Sequence, residues 1–270
     1  MKIILNSKDL IKRINHIKNL GFVPTMGSIH EGHLSLIKKS VTNCNKTLVS
    51  IFINPKQFNK KKDFINYPKK INTDLSILKK SKVDYVFIPK IKDIYSYKRF
   101  RKIKLNKKDK ILCAKHRKGH FEGVLDVMDR LTKLVNPKKI FMGKKDFQQF
   151  ILVKNYIKKK YNINVIGCPI IRDINNVALS SRNFLLNKKE LLISSQIVNN
   201  LLAFKNKFRK SKNINHLLRI KKIELQNKYE IKIEYLENRK IHNFKKINYI
   251  NKSNIFIAYY IKQVRLIDNL

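Results

Sequence analysis

The stretch from Gly21 to His33 reads GFVPTMGSIHEGH and has the pattern of a buried strand that gives way to a turn and then a helix. Residues 21–24 are the predicted end of the strand, and residues 34–40 begin a helix with apolar spacing. In a doubly wound sheet, ligands bind where such a strand passes into its helix. This stretch is therefore the first candidate for a ligand site.

The start of this helix is expected to bind phosphate. A helix N-terminus offers unpaired backbone N–H groups and the positive end of the helix dipole. Gly27 and Gly32 allow a nucleotide to approach the backbone closely. His30 and His33 are spaced i and i+3, so they share one helix face and both rings can donate to phosphate oxygens. Two histidines beside a glycine are by themselves only a loop and a cap, but the strand–turn–helix context favours a ligand site.

Strands and helices alternate through the first two thirds of the chain. This predicts an α/β fold with a doubly wound, parallel, Rossmann-like sheet in a domain of residues 1–176. Two long helices and two β-rich stretches after residue 187 predict a smaller C-terminal α+β domain of residues 177–270. The predicted strands are 47–53, 83–88, 140–142, 165–169, 231–236 and 255–261, and the predicted helices are 75–80, 124–135, 148–158, 188–208 and 214–228.

The composition is strongly basic, with 61 Lys and Arg against 18 Asp and Glu and a net charge of +43. Such a charge suggests an RNA- or membrane-binding protein. An AT-rich coding background is the favoured explanation, because Lys, Asn and Ile are frequent and Trp is absent. Single-strand RNA readers usually interleave aromatic and basic residues, whereas these aromatic residues mostly fall inside apolar strands. We therefore favour coding bias and expect no specific nucleic-acid partner.

The sequence has no features of a membrane or secreted protein. No apolar run approaches the roughly 20 residues that span a bilayer, and the apolar start is too short for a signal peptide. Its three cysteines, Cys44, Cys113 and Cys168, are scattered and fit neither a disulfide framework nor a CxxC metal site. We expect a cytoplasmic protein without a membrane partner.

Three further polar segments follow predicted elements. SIFINPKQF (50–58) carries Gln57, MGKKDFQQ (142–149) carries Lys145 and Gln149, and LSSRN (179–183) offers two hydroxyls and a guanidinium. Such donors suit a triphosphate. Each segment alone is an ordinary loop, but together, at the ends of strands in one sheet, they predict a single cleft.

With these motifs, and with DFINYPKK (63–70) and RKGHFEGV (117–124), the sequence resembles the pantothenate synthetase (pantoate–β-alanine ligase) family of the HxGH nucleotidylyltransferase superfamily. The resemblance runs from about Gly21 to Asn187 and returns in RLIDN (265–269). It implies ATP-dependent condensation of (R)-pantoate with β-alanine to pantothenate through pantoyl adenylate, with release of pyrophosphate and AMP. It also implies Mg²⁺ with the ATP, a C-terminal lid and a homodimer.

The resemblance also assigns roles to individual residues. His33 is the acid that assists pyrophosphate departure, and Gln57 and Gln149 hold pantoate. Lys145 lies on phosphate and Asp146 towards the ribose. Weaker candidates near pantoate or the lid are Asn54, Tyr67, Arg117 and His120. The implied ATP site comprises Met26, Gly27, Ser28, Ile29, His30, Glu31, Gly32, His33, Gly143, Lys144, Lys145, Asp146, Ile171, Leu179, Ser180, Ser181 and Arg182.

Several positions depart from the family pattern. Lys144 replaces Glu, Lys118 replaces Pro, Lys69 replaces Arg, Asn175-Asn176 replaces Asp-Gly and Asp126 replaces Thr. These departures bear on loop geometry and rate more than on reaction type. A nucleotidyl transferase that acts on a different carboxylate stays an alternative, although Gln57 and Gln149 favour pantoate.

Overall fold

The computed structural model describes residues 1–59, 61–96 and 102–270. The chain divides into two compact units, Met1–Ile171 and Arg172–Leu270. The division between these units lies slightly before the boundary predicted from the sequence. The assignment of residues 1–176 and 177–270 as two domains stays a prediction.

A parallel sheet of six strands forms the first unit, in the order β1-β4-β3-β2-β5-β6. Helices lie on both sides of it, so the predicted doubly wound α/β fold is confirmed. The strands are β1 Lys2–Ile4, β2 Leu20–Thr25, β3 Lys46–Ile51, β4 Tyr85–Phe87, β5 Lys139–Gly143 and β6 Asn164–Cys168. The helices are α1 Ser7–Ile14, α2 Glu31–Asn43, α3 Lys61–Ile65, α4 Ile71–Lys80, α5 Ile91–Ile94, α6 Leu112–His116, α7 His120–Val135 and α8 Phe147–Tyr161.

The central strands are buried on both faces, as their continuous apolar runs predict. Phe22, Val49 and Phe141, from β2, β3 and β5, are completely inaccessible to solvent. The edge strand β1 was not predicted, because it has only three residues and its apolar stretch resembles no long strand. Its Ile4 is nevertheless fully buried, and β4 pairs with it in parallel.

The strand order reverses between β2 and β5. The chain runs from β2 outward to β3 and β4, and β5 then returns to the opposite side of β2. The β2–β5 pairing comprises Gly21 with Lys139 and Phe22 with Ile140, so the strands part before their carboxyl ends. Pro24, which has no N–H for a ladder hydrogen bond, lies beyond the last of these pairs. This separation is the crevice where doubly wound sheets bind ligands.

The second unit consists of two long helices, as predicted, and a sheet of three antiparallel strands, where the sequence indicates only two β-rich stretches. The strands are β7 Lys232–Lys240, β8 Ser253–Ile261 and β9 Val264–Asn269, and the helices are α9 Lys188–Lys207 and α10 Ile214–Tyr229. Residues such as Ile197, Leu218 and Ile257 form its core. Strand β9 contains the RLIDN motif, so this part of the family resemblance is also a strand that the sequence does not predict.

Two ion pairs explain the charged residues of this motif. Arg265 Nη2 lies 2.6 Å from Glu234 Oε2. Asp268 accepts from both terminal nitrogens of Arg172, at 2.7 and 2.9 Å. Such bidentate pairs fix geometry as well as charge, so the motif holds the second unit together internally.

Two further observations concern environment. In the described parts of the chain no helix combines the length and apolar character needed to cross a membrane. Cys44, Cys113 and Cys168 are all free thiols.

Candidate active site

The turn after β2 ends in a helix cap built from two histidines. His30 is the N-cap of α2, and its Nδ1 accepts from the backbone N–H of Gly32 at 3.1 Å. His33 makes the reciprocal hydrogen bond, in which its Nδ1 accepts from the backbone N–H of His30 at 3.4 Å. This reciprocal arrangement is a capping box, which requires the N-cap and N3 spacing of i and i+3. The HxGH motif is thus a structural cap and a ligand candidate at once.

These contacts define the protonation of both rings. A ring nitrogen that accepts an N–H carries no proton, so the hydrogen-bond network assigns the hydrogen of each neutral ring to Nε2. Burial, with Lys145 nearby, lowers the pKa of His30 to about 4. Burial and the neighbouring His30 lower the pKa of His33 to about 3. Both rings, whose centroids are 4.1 Å apart, are therefore neutral N–H donors at neutral pH.

The backbone of this turn is held by a buried carboxylate. Asp74, in α4, accepts from the N–H groups of Ser28 at 2.8 Å and Ile29 at 2.7 Å. Gly27 donates to Thr25 Oγ1 at 3.2 Å. The expectation that the turn offers free N–H groups to phosphate is therefore wrong for these three residues, and for the amides in the capping box. Protein acceptors already use these amides, so a phosphate would need other donors, among them the side chains of the turn.

The turn after β5 lies on the other side of the crevice. Gly143 ends β5, and Lys144, Lys145 and Asp146 form a 3₁₀ turn before α8. Lys145 and Asp146 both act electrostatically on His30 and His33, and Lys145 Nζ lies 3.8 Å from Asp146 Oδ2. Lys144 is exposed. The structure thus brings the two predicted nucleotide turns together at the topological switch.

The turn after β3 adds a buried amide pair. Gln57 is buried, and its Nε2 contacts the sulfur of Met26 in the first turn. Its main-chain oxygen is held by His120 Nδ1 at 2.6 Å and by Arg117 at 3.3 Å. Asn54 is almost completely buried and donates to the carbonyl oxygen of Gly123 at 3.2 Å. Gln57 therefore borders the turn after β2, whereas Asn54, Arg117 and His120 support the turn after β3.

Gly123 is required at this contact. A Cβ at this position would collide with the main-chain oxygen of Lys56, so α7 packs directly on the backbone of the 54–57 turn.

Tyr67, the fourth weaker candidate, packs its ring edge-on against Phe58 at 5.6 Å.

The two glutamines at the start of α8 have different environments. Gln148 is buried, donates to the carbonyl oxygens of Asp109 and Ile111, and accepts from Ala114. Gln149, the predicted pantoate ligand, is half-buried. Gln148 therefore holds the loop before α6 in place, and Gln149 is the one with solvent access.

The remaining predicted residues lie at or beyond the division between the units. Ile171 is the last residue of the first unit. In the second unit, Ser180 caps the 3₁₀ turn of residues 181–185 and accepts from the Arg182 N–H at 3.2 Å. Ser181 is buried, while Leu179 and Arg182 are half-buried. Their assignment to the triphosphate stays a prediction.

Two departures from the family pattern are accommodated locally. Asn176 has φ +67°, a left-handed conformation that Asn tolerates better than most residues. Asp126 accepts from Arg130 Nε at 3.0 Å, and its other oxygen lies 3.7 Å from Lys56 Nζ. The turn before the Ser-Ser-Arg segment is thus retained without its glycine, and the added carboxylate is neutralised.

Sequence reasoning missed two residues that support the site. Asp74 shares the buried face of α4 with Leu78, so a charge on an apolar helix face was its only signal. Tyr95 donates to Asn54 Oδ1 at 2.9 Å, and its ring lies 3.8 Å from Lys56 Nζ. The sequence gives no sign of this contact, because it depends on how α5 meets the 54–57 turn.

The fold and the site together define a class of protein. A doubly wound parallel sheet with a histidine cap at its switch point and a lysine on the facing turn is an arrangement suited to a nucleotide-binding enzyme.

Comparisons with known proteins identify the family within this class. The family model Pantoate-beta-alanine ligase matches residues 2–270, and the chain belongs to this family. It is 35% identical to the pantothenate synthetase of Pseudothermotoga lettingae, over 100% of this chain and 97% of that protein. Its structure is similar to that of a pantoate-beta-alanine ligase from Francisella tularensis, described as complexed with beta-gamma ATP and beta-alanine, at TM-score 0.85 and 36% identity, covering 100% and 97% of the chains. A pantothenate synthetase from Thermus thermophilus gives TM-score 0.93 at 28% identity, covering 100% and 99%.

Proposed function

We propose that this enzyme joins (R)-pantoate to β-alanine with ATP and forms pantothenate. The observation that carries the proposal is the convergence of His30, His33 and Lys145 at the switch point, with Gln57 in contact with the same turn through Met26. In the first step, a carboxylate oxygen of pantoate attacks the α-phosphorus of ATP, and the bond to pyrophosphate breaks. In the second, the β-alanine amine attacks the acyl carbon, loses a proton, and AMP leaves.

We propose that His33 acts as a neutral hydrogen-bond donor, whereas the resemblance implies an acid that assists pyrophosphate departure. Its ring is neutral and carries its hydrogen on Nε2, so it enters the reaction as a hydrogen-bond donor. A donor aimed at an oxygen that gains negative charge stabilises the transition state without a completed proton transfer. We assign His33 this role on the leaving pyrophosphate, with His30 and Lys145 as further donors to the phosphates.

The pantoate site is assigned to Gln57 and Gln149. An amide side chain both donates and accepts, which suits a substrate with hydroxyl and carboxylate groups. Gln57 is buried beside Met26, and Gln149 is half-buried at the start of α8, directly after the turn that carries Lys145. Pantoate bound at Gln57 lies beside Met26, and hence beside the nucleotide turn.

Mg²⁺ is proposed as part of the substrate MgATP. Within residues 1–59, 61–96 and 102–270, no cluster of three or more His, Cys, Asp or Glu side chains could hold a metal. The triphosphate oxygens, which Mg²⁺ prefers, supply its ligands. The ion neutralises charge on the phosphates as the α-phosphorus is attacked.

Three further proposals concern partners and location. The family resemblance supports a homodimer, which sedimentation would test. The free thiols support a reducing cytoplasm. The proposal that nucleic acid is not a specific partner predicts flat or absent RNA binding at physiological salt, where a counterion-release mechanism would give steep salt dependence.

One assay tests the proposed reaction directly. The protein is incubated with MgATP, pantoate and β-alanine, and AMP is measured with each acid omitted in turn. AMP release that requires both acids is expected. Release that is independent of pantoate, or supported equally by another carboxylate, would contradict the proposal.

A further inference from the structure

We propose that Asp74 is a positioning residue for catalysis, which fixes the nucleotide turn so that His30 and His33 face the phosphates. The inference rests on the proposed function and deepens it. Asp74 is 2% exposed and lies in the first turns of α4, outside every motif that points to the site. It acts through the turn and contacts no substrate.

The carboxylate holds the turn at two adjacent amides. Oδ2 accepts from Ser28 and Oδ1 from Ile29, so both oxygens are used on consecutive residues. The same segment provides a third contact, because Ser28 Oγ donates to the carbonyl oxygen of Pro68 at 3.1 Å. The turn immediately before the histidine cap is thereby attached to the 68–74 segment by three hydrogen bonds.

The backbone of the turn needs this support. Ser28 has φ +52°, a left-handed conformation that is unfavourable for a residue with a side chain. Gly27 has φ +82°, and a Cβ there would lie 2.9 Å from Asp74 Oδ2. The carboxylate therefore packs directly against Gly27 and stabilises the unusual conformation of the next residue. This conformation sets the direction in which the chain enters α2, and with it the positions of both rings.

The carboxylate also determines which groups remain for ATP. The amides of Ser28 and Ile29 would attract phosphate if they pointed into the crevice. Because Asp74 accepts from both, these two amides are not available to a phosphate, whereas the Nε2–H groups of the two histidines and Lys145 are among the donors that remain. The expected consequence of losing the carboxylate is a turn that moves, rather than one that simply lacks a ligand.

The test compares Asp74→Asn with Asp84→Asn. Asn is isosteric, but it presents an NH₂ to one of the two amides. Asp84 is the matched control: it accepts from the backbone N–H of Thr47 at 2.9 Å and from Lys46 at the start of β3, remote from the turn. Steady-state kinetics with ATP and pantoate varied separately are combined with amide hydrogen exchange of residues 26–33.

For Asp74→Asn we expect kcat/KM for ATP to fall roughly 10²-fold, the cost of a small misplacement of catalytic groups. KM for ATP should rise while KM for pantoate changes much less, and the Ser28 and Ile29 amides should exchange faster. Asp84→Asn should leave both KM values unchanged. A merely structural role would lower the active fraction without raising KM for ATP, and that result would overturn the proposal.

If Asp74→Asn fails to fold, hydrogen exchange in the wild-type enzyme carries the test. Slow exchange of the Ser28 and Ile29 amides that persists on addition of ATP supports the proposal, and exchange at the rate of exposed amides overturns it. Failure of the proposed function is distinct, because wild-type enzyme would then form no AMP from the two acids.

Discussion

The turns after the neighbouring strands β2 and β3 are held in different ways. A hydrogen-bond acceptor holds the first, and hydrogen-bond donors hold the second. The turn after β2 is fixed at its N–H groups by the acceptor Asp74. The turn after β3 is fixed at a carbonyl oxygen, that of Gln57, by the donors His120 and Arg117. In both cases a side chain from a distant segment satisfies particular main-chain groups of the turn, so these groups are not available to a ligand.

The difference between the turns matches the ligands that we assign to them. The first presents two neutral rings, each with its hydrogen on Nε2, beside Lys145, which suits an anion of high charge. The second presents an amide, which suits a small hydroxy acid. Changes in one turn should therefore affect ATP, and changes in the other should affect pantoate.

The largest effect is expected for His33→Ala. Loss of a donor that stabilises the transition state should reduce turnover by ~10²-fold or more. AMP formation at saturating substrates measures it. His16→Ala, at an exposed position, is the control and should have normal turnover. A near-normal rate for His33→Ala would remove His33 from the chemical step.

A smaller effect is expected for His120→Ala. The carbonyl oxygen of Gln57 would lose its shorter hydrogen bond and keep the one from Arg117, so the cost is that of a single hydrogen bond, about 0.5–1.5 kcal/mol. KM for pantoate should rise by roughly three- to tenfold, with KM for ATP changed less. His120→Asn, whose amide nitrogen restores a donor, should recover part of the affinity. Equal changes in both KM values would contradict the proposal that the turn after β3 serves pantoate and the turn after β2 serves ATP.

The smallest effect concerns the pH dependence of stability. Burial keeps His30 neutral in the folded state, with its pKa lowered from 6.5 to about 4. The unfolded chain therefore binds a proton that the folded protein does not, and the free energy of unfolding falls as the pH drops from about 6.5 towards 4.

Replacement by Asn isolates the share of His30 in this dependence. His30→Asn keeps a side-chain acceptor for the N-terminus of α2 and removes the titrating group. Urea denaturation between about pH 6.5 and pH 5, above the range of most carboxylates, should show a shallower pH dependence for the variant. An unchanged slope would mean that His30 does not titrate as its environment suggests.

The prediction from sequence succeeded where a pattern is local. The apolar runs of β2, β3 and β5 identified buried strands, and their alternation with helices indicated the doubly wound sheet. The short edge strand β1 escaped because three residues carry no periodicity. Strand β9 escaped because its polar residues, Arg265 and Asp268, face ion-pair partners that are distant in sequence.

The site shows the same limit. The histidine spacing pointed to a helix start, and Lys145 and Gln57 pointed to the ends of strands. Three features of the site cannot be predicted from the sequence. They are the tautomers of the histidines, the use of the turn amides by Asp74, and the different roles of Gln148 and Gln149. Each depends on a contact between residues far apart in the chain.

The sequence by itself therefore determined the class of fold, the family and the residue types at the crevice, because periodicity, turn residues and ordered motifs are properties of neighbouring positions. Only the tertiary structure decided which polar groups remain for substrates. Every buried N–H and carbonyl needs a partner, and whether that partner is a ligand or a side chain such as Asp74 or His120 depends on how distant segments pack.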